Sequence, residues 1–290
     1  MFSGLIRLAR PRDWTKNVFV LIPVPFALAA GSMASGGLEP LPFLLGFFGF
    51  CLINSAVYTL NDLLDAEADR LHPRKQNRPI ACGQVSARTA AVQFVLLLAV
   101  GLGLSLAAQR PGVIALVLVY VGINLVYSLG AKHVALLDVF MLSSGFVIRV
   151  LLGCALVVAD ASVWLLLCTS ALALFLGFTK RKADLSAGLD PGHRPSLRGY
   201  STTFLTHAMT ICAGVTIVSY ALYCKDSKVM RDGWELASLP FVAFGILNYL
   251  RLADTENIGG SPVEIAFSSR SSQVCALGWA AAVIWSLAIW

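Results

Sequence analysis

Apolar residues occur along this chain in long blocks, separated by short stretches where the charges collect. A helix needs about 20 predominantly apolar residues to cross a bilayer. Blocks of that length lie at roughly 17–36, 41–60, 89–108, 112–130, 134–157, 162–179, 204–223, 236–250 and 272–290. Several contain Gly or Pro, which membrane helices tolerate when neighbours satisfy the freed backbone groups. The pattern predicts an all-α, polytopic membrane bundle of nine transmembrane helices. The blocks recur from end to end, so residues 1–290 read as one domain.

Composition strengthens this reading. Of 290 residues, 57% are hydrophobic and 13% charged, about half the roughly 25% charged share of an average soluble domain. The net charge of +6 would suit nucleic acid, but the basic residues sit in loops between apolar blocks. A topology signal or an anionic ligand explains them better. Seventeen of the 22 basic residues fall on one side of the expected membrane, four (Arg110, Lys225, Lys228 and Arg231) on the other, and Arg149 within a span. The positive-inside bias therefore puts the N-terminus in the cytoplasm and the C-terminus outside a cell membrane. Arg7, Arg10, Arg12 and Lys16 precede the first block with no signal-peptide cleavage pattern. The seven cysteines show neither CxxC spacing nor a secreted framework and read as small packing residues.

Chemistry concentrates where the second block runs into Asn61, Asp62, Asp65, Glu67 and Asp69. On a helix Asn61, Asp65, Asp69 and Asp62 fall at about 0°, 40°, 80° and 100°, while Glu67 points away near 240°. Carboxylates gathered on one face repel unless a cation lies among them. Hard oxygen donors of this kind suit Mg²⁺, which keeps several waters and bridges to substrate phosphates. The alternative is an acidic helix end at the water interface. His72, Arg74, Lys75 and Arg78 follow directly. These cations fit a diphosphate held between metal and base, or a plain positive-inside loop; His72 is not read as a ligand.

A second polar helix end follows the sixth block: Lys180, Arg181, Lys182 and Asp184, then a loop with His193, Arg194, Arg198 and Tyr200. Its layout repeats the first, a weak internal repeat of the sort that builds one site from two halves. Its charge is mostly cationic, which suggests a ligand with more phosphate than one diphosphate. The segment holding Arg10, Arg12, Trp14, Lys16 and Asn17 adds cations on the same side, or anchors the chain at headgroup level. Arg149 is a charge inside a span; Asp138, eleven residues earlier, lies about 16 Å away along a straight helix and cannot pair with it. Arg149 binds a lipid phosphate or pairs with another helix.

Nine spans with NDxxDxxxD closing the second resemble the UbiA-type intramembrane prenyltransferase superfamily over the whole chain. The segments RPRDWTKN at 10–17, NDLLDAEADRLHPRKQNRPIA at 61–81, KRKAD at 180–184 and RPSLRGYS at 194–201 resemble its decaprenyl-phosphate phosphoribosyltransferase branch. Aromatic prenyltransferases of the superfamily carry a second aspartate-rich motif where this chain has KRKAD. The resemblance implies a central cavity open to the cytoplasm and laterally to lipid. It also implies Mg²⁺ on Asn61, Asp62, Asp65 and Asp69, with Asp62, Asp65 and Asp69 catalytic. The implied partners are phosphoribosyl pyrophosphate, a polyprenyl phosphate and membrane lipids, with no nucleic acid; a homo-oligomer is compatible. Candidate substrate-binding residues are Lys16, Asn17, Asn61, Lys75, Arg78, Arg149, Lys180, Arg181, Asp184, Arg198 and Tyr200. An aromatic prenyltransferase of the same fold is the nearest rival. A transporter is another, although the charges gather at one membrane face and not near the midplane.

Overall fold

A computed structural model describes residues 2–31, 39–71, 75–188, 195–255 and 269–287. Among these, regular structure is helical apart from one bridge between Met230 and Leu287. His72, Arg74, His193 and Arg194 lie outside the described residues.

Among the described residues, six helices are long and apolar enough to cross a membrane: α3 (Pro40–Leu64), α5 (Ala87–Ala107), α6 (Pro111–Leu129), α7 (Leu137–Leu156), α8 (Val163–Ser186) and α9 (Thr202–Asp226). They coincide with the second to seventh expected blocks. The last two blocks hold shorter helices of 17 residues, α10 (Leu239–Thr255) and α11 (Arg270–Ser286). The first block is not the uninterrupted helix expected over 17–36. After α1 (Phe2–Ala9), residues Pro11–Leu21 form a 3-10 helix, and α2 (Pro23–Ala29) begins only at Pro23. Pro23 and Pro25 lack amide protons, so no α-helical ladder runs from the preceding turns through them. A proline opens a helix well and continues one badly.

Helix ends follow local chemistry. Pro40 and Pro111 occupy first turns, where the missing N–H is no loss. Ser86, Ser201 and Ser269 cap α5, α9 and α11, each accepting from the amide three residues on. Gly130, at φ +156°, ends α6.

The chain divides into two compact units. The first comprises Met1–Val24, Ser32–Lys132 and Ile148–Asp160. Its core is built from Val20, Phe50, Ile53, Val117, Tyr120, Ile148 and Leu152. α3 and α5 meet backbone to backbone at Gly49 and Gly101. A Cβ at either would stand 2.9 Å from the other's carbonyl oxygen, so only small residues fit, as at many membrane helix contacts. A smaller cluster of Leu8, Ile80, Val85 and Ala90 seats α1 on the 75–85 loop and the start of α5. The second unit comprises Pro25–Gly31, His133–Val147 and Ala161–Trp290. α8 and α9 are its central pair, around Phe175, Phe178, Leu205, Met209, Tyr249 and Leu252. α7 supplies residues to both units. Large apolar side chains such as Leu96, Val119, Ile211 and Leu277 are exposed, as lipid-facing positions require.

At Gly153 of α7, a Cβ would overlap the Val20 carbonyl oxygen. Gly153→Ala is expected to cost about 1–3 kcal/mol through overpacking. Gly103→Ala in α5 meets nothing within 4 Å and is expected to stabilise by about 0.5–1 kcal/mol through reduced chain entropy. Thermal unfolding of both variants in one detergent checks the opposite signs.

Candidate active site

α3 carries a polar face out of an apolar helix. Asp65 interrupts it as the C-cap, at φ −91° and ψ 1°, before the short α4 (Ala66–Leu71). The Asp65 amide still donates to the Asn61 carbonyl at 2.9 Å, and the Asp69 amide to the Asp65 carbonyl at 2.8 Å. Helical phase therefore carries across the break, and the four oxygen-bearing side chains stay close to their expected angles.

They do not gather at one point. They form two pairs, set by adjacency on the helix. Asn61 and Asp65 turn to the end of α6: Asn61 accepts from the Ser128 hydroxyl at 3.2 Å, and Asp65 is paired with Lys132. Asp62 and Asp69 turn the other way and are nearly fully buried. Asp62 receives Arg10 Nη2 on both oxygens, at 2.6 and 2.9 Å. Arg78 Nη1 lies 3.0 Å from Asp62 and 2.6 Å from Asp69, and Lys75 stands 3.8 Å from Asp69. Among the described residues no three His, Cys, Asp or Glu side chains surround one point. Yet one cationic nitrogen already bridges the Asp62 and Asp69 carboxylates. Mg²⁺ commonly takes only one or two protein carboxylates, with waters and substrate phosphates completing its shell. This pair fits such an ion; the full set of four does not, as arranged.

Above the acidic end, Lys16 bonds Asp13 at 2.6 Å and reaches the Tyr58 hydroxyl at 3.4 Å. Burial works against its charge, but Tyr58 and Asp13 outweigh that and hold its pKa above the ordinary lysine value. Arg10 and Lys16 both lie over the Tyr58 ring, at 5.2 and 5.6 Å.

Arg149 is buried and bonds several neutral groups. Its Nε donates to Asn17 Oδ1 at 3.0 Å, and its Nη2 to Asn54 Oδ1 at 2.6 Å and Tyr120 at 3.4 Å. The guanidinium also lies over the Phe50 and Tyr120 rings. Arg149 and Asn17 tie α7 and the 3-10 segment to α3 and α6.

The second unit holds its own polar cluster. Arg181 is fully buried, with Nε 2.9 Å from Asp138 and Nη1 2.7 Å from Asp184. Asp138 also accepts from Ser196 at 3.0 Å and from Tyr200 at 2.7 Å, while Tyr200 takes the Leu136 amide at 2.6 Å. Burial and the hydrogen bond to Asp138 push the Tyr200 phenol well above its ordinary pKa, so it remains a donor. Between these anchors the 3-10 turn Pro195–Gly199 has no room for a Cβ at Gly199, which would strike Ala135. Arg181 was expected to face a phosphate; its guanidinium instead serves this interior cluster. Lys180 and Arg198 are exposed.

Arg10, Lys132, Tyr58, Asn54, Asp138 and Ser196 enter these clusters without having been singled out as ligands. Asn54 and Tyr58 had a legible signal. Placed on the same wheel they fall within the arc of the acidic residues and extend that face up α3. Lys132 and Asp138 had none, because their partners lie 67 and 43 positions away in sequence.

Arg149→Met keeps most of the apolar stem but leaves Asn17, Asn54 and Tyr120 short of a donor. It is expected to cost about 1–3 kcal/mol, read as a lowered unfolding midpoint.

Comparison with known proteins agrees with the helical pattern. The UbiA prenyltransferase family model matches residues 23–259. A decaprenyl-phosphate phosphoribosyltransferase of Corynebacterium glutamicum is 35% identical, over 99% of this chain and 87% of the relative. One from Mycobacterium tuberculosis is 33% identical, over 98% and 94%. A UbiA homologue from Archaeoglobus fulgidus, solved with GPP and Mg²⁺ bound, superposes with a TM-score of 0.72 at 21% identity, over 97% of this chain and 98% of that one. With the family model spanning most of the sequence and such relatives matching nearly all of it, the chain belongs to the UbiA prenyltransferase family.

Proposed function

We propose that this protein is a membrane phosphoribosyltransferase, moving 5-phosphoribose from phosphoribosyl pyrophosphate to a polyprenyl phosphate. The observation that carries this reading is the buried Asp62–Asp69 pair held by shared cations. Relatives with that activity in their names, similar over almost the whole chain, support it.

Asp62 and Asp69 would hold Mg²⁺, while Asn61 and Asp65 stay with Ser128 and Lys132; when bound, the ion would neutralise the donor diphosphate. Arg78 and Lys75, already grouped on Asp69, counter the charge that grows on departing pyrophosphate. A phosphate oxygen of the acceptor attacks C1 of the ribose. The C1–oxygen bond to pyrophosphate breaks, and the leaving group departs with the bonding pair. Phosphate is already anionic at neutral pH, so no side chain has to remove a proton. Lys180 and Arg198, the exposed cations of the second cluster, are assigned to phosphate binding. Arg181, Asp184 and Tyr200 shape the turn that carries Arg198, while Asn17 and Arg149 brace the first unit, with Lys16 above Tyr58.

Purified protein given labelled phosphoribosyl pyrophosphate, polyprenyl phosphate and Mg²⁺ is expected to form a labelled lipid. Asp62→Asn or Asp69→Asn should reduce product by at least about a hundredfold while leaving the fold intact, the scale of losing one preorganised charge-stabilising group. Product from a prenyl diphosphate and an aromatic acid, and none from phosphoribosyl pyrophosphate, would overturn the donor assignment.

The same reading takes the chain as one nine-span domain of the cell membrane, its N-terminus and both motifs cytoplasmic. In a cysteine-free background, Asp232→Cys should react with an impermeant maleimide added outside intact cells. Gln84→Cys should react only after permeabilisation; the reverse pattern inverts the topology.

A further inference from the structure

We propose that Arg10 is a substrate-binding residue stored on Asp62, released to a phosphate when a divalent ion takes that carboxylate. The proposal rests on the reading above that Asp62 and Asp69 hold an ion together with a diphosphate.

Access is the first argument. The Asp62 side chain is 1% exposed. One nitrogen of Arg10 covers both of its oxygens, at 2.6 and 2.9 Å. Arg10 thus occupies the place where an incoming cation would meet the carboxylate, so ion binding must displace it. Arg78 is not equivalent, because its single Nη1 lies between the two carboxylates and meets only one oxygen of each.

Charge balance is the second. In this arrangement Arg10, Arg78 and Lys75 offset the two buried carboxylates. A divalent ion added without rearrangement would stand against guanidinium at contact distance in a poorly solvated place, where like charges repel strongly. Release of Arg10 removes that repulsion but leaves a cation seeking an anion. The anion that arrives with the ion is the diphosphate. Guanidinium suits it well, since phosphate and carboxylate oxygens accept the same forked donor geometry.

The backbone is the third. Arg10 adopts φ 50° and ψ 55°, the left-handed region, where its amide closes α1 on Ile6 and its carbonyl accepts the Asp13 amide. Glycine is the residue that takes this conformation without steric cost. A position built for glycine instead carries a long cationic side chain, and strained backbone of this kind tends to persist where the side chain is used. The Tyr58 face, 5.2 Å from the guanidinium, offers a resting place that survives the loss of Asp62.

Two affinities should therefore move in opposite directions. Mn²⁺ binding without phosphate, followed by the spin-resonance signal of the free ion, is expected to be roughly tenfold tighter in Arg10→Gly than in the parent, because a competing charge-assisted bond is gone. Binding of inorganic pyrophosphate with Mg²⁺, measured by calorimetry, is expected to weaken at least roughly tenfold, for loss of a bond of the same class. A purely structural arginine would lower both affinities together. Mn²⁺ binding no tighter than in the parent, or pyrophosphate affinity unchanged, overturns the proposal. If the glycine variant does not fold, Arg10→Lys keeps the charge without the fork, and smaller shifts of the same signs are required of it; unchanged affinities overturn the proposal there too. Pyrophosphate carries neither ribose nor prenyl group, so these readouts are independent of the donor. Opposed shifts alongside a failed transferase assay would leave the Arg10 assignment standing and remove the phosphoribosyl one.

Discussion

A charge carried beneath the surface of a membrane protein has to be matched where it lies, because neither lipid nor apolar side chains can solvate it. Among the buried charges of the described residues, Arg149, Arg181 and Asp62 are each matched differently. Arg149 is solvated by two asparagine carbonyls, a phenol and two aromatic faces. Arg181 is matched by Asp138 and Asp184, and Asp138 in turn collects two hydroxyls. Asp62 is matched by two guanidiniums, one of them shared with Asp69. Arg149 meets buried partners, and Arg181 meets Asp138, which has no exposure, as well as the partly exposed Asp184. The third is matched by side chains that are themselves about one-quarter exposed, at 24% and 22%.

Under the proposed function, that difference separates scaffold from site. A charge locked by a fully buried partner, as Arg181 is by Asp138, has no exit, and moving it would strand a bare ion. Arg181 and Asp138 accordingly read as the clamp that sets the turn at Pro195–Gly199 and, through it, where Arg198 stands. On the proposed reading, Arg10 can trade one anion for another because it is partly exposed. The basic side chains that would grip phosphate would then be the ones that neutralise the buried acidic pair before a metal binds.

Part of the candidate site's arrangement was legible along the chain, within a clear limit. The wheel positions of Asn61, Asp62, Asp65 and Asp69 survive a real break in the helix, because hydrogen bonds bridge Asp65. Angle alone could not say that Asn61 and Asp65 belong to one environment and Asp69 and Asp62 to another. Ser128 and Lys132 on one side, and Arg10 and Arg78 on the other, drew that division. Arg149 illustrates the same limit. Its place inside an apolar block marked it as unusual, and the absence of a carboxylate within reach on its own helix was calculable. That it meets amides and a phenol was not, since these come from residues 17, 54 and 120.

By itself the sequence determined helical type, the six long apolar segments and the acidic and basic helix ends, because these depend on composition and on a period of about 3.6 residues. It also carried the information that marks family membership, in motifs short enough to read locally. The first block marks where local reading falls short, for Pro23 and Pro25 are plain in the chain, yet apolar length outweighed them. Only the tertiary structure decided which cation meets which carboxylate, which glycines admit a neighbouring backbone, and which arginine is interior. Those outcomes depend on contacts between residues tens of positions apart, and their electrostatic strength is set by burial, a quantity no local stretch of sequence contains.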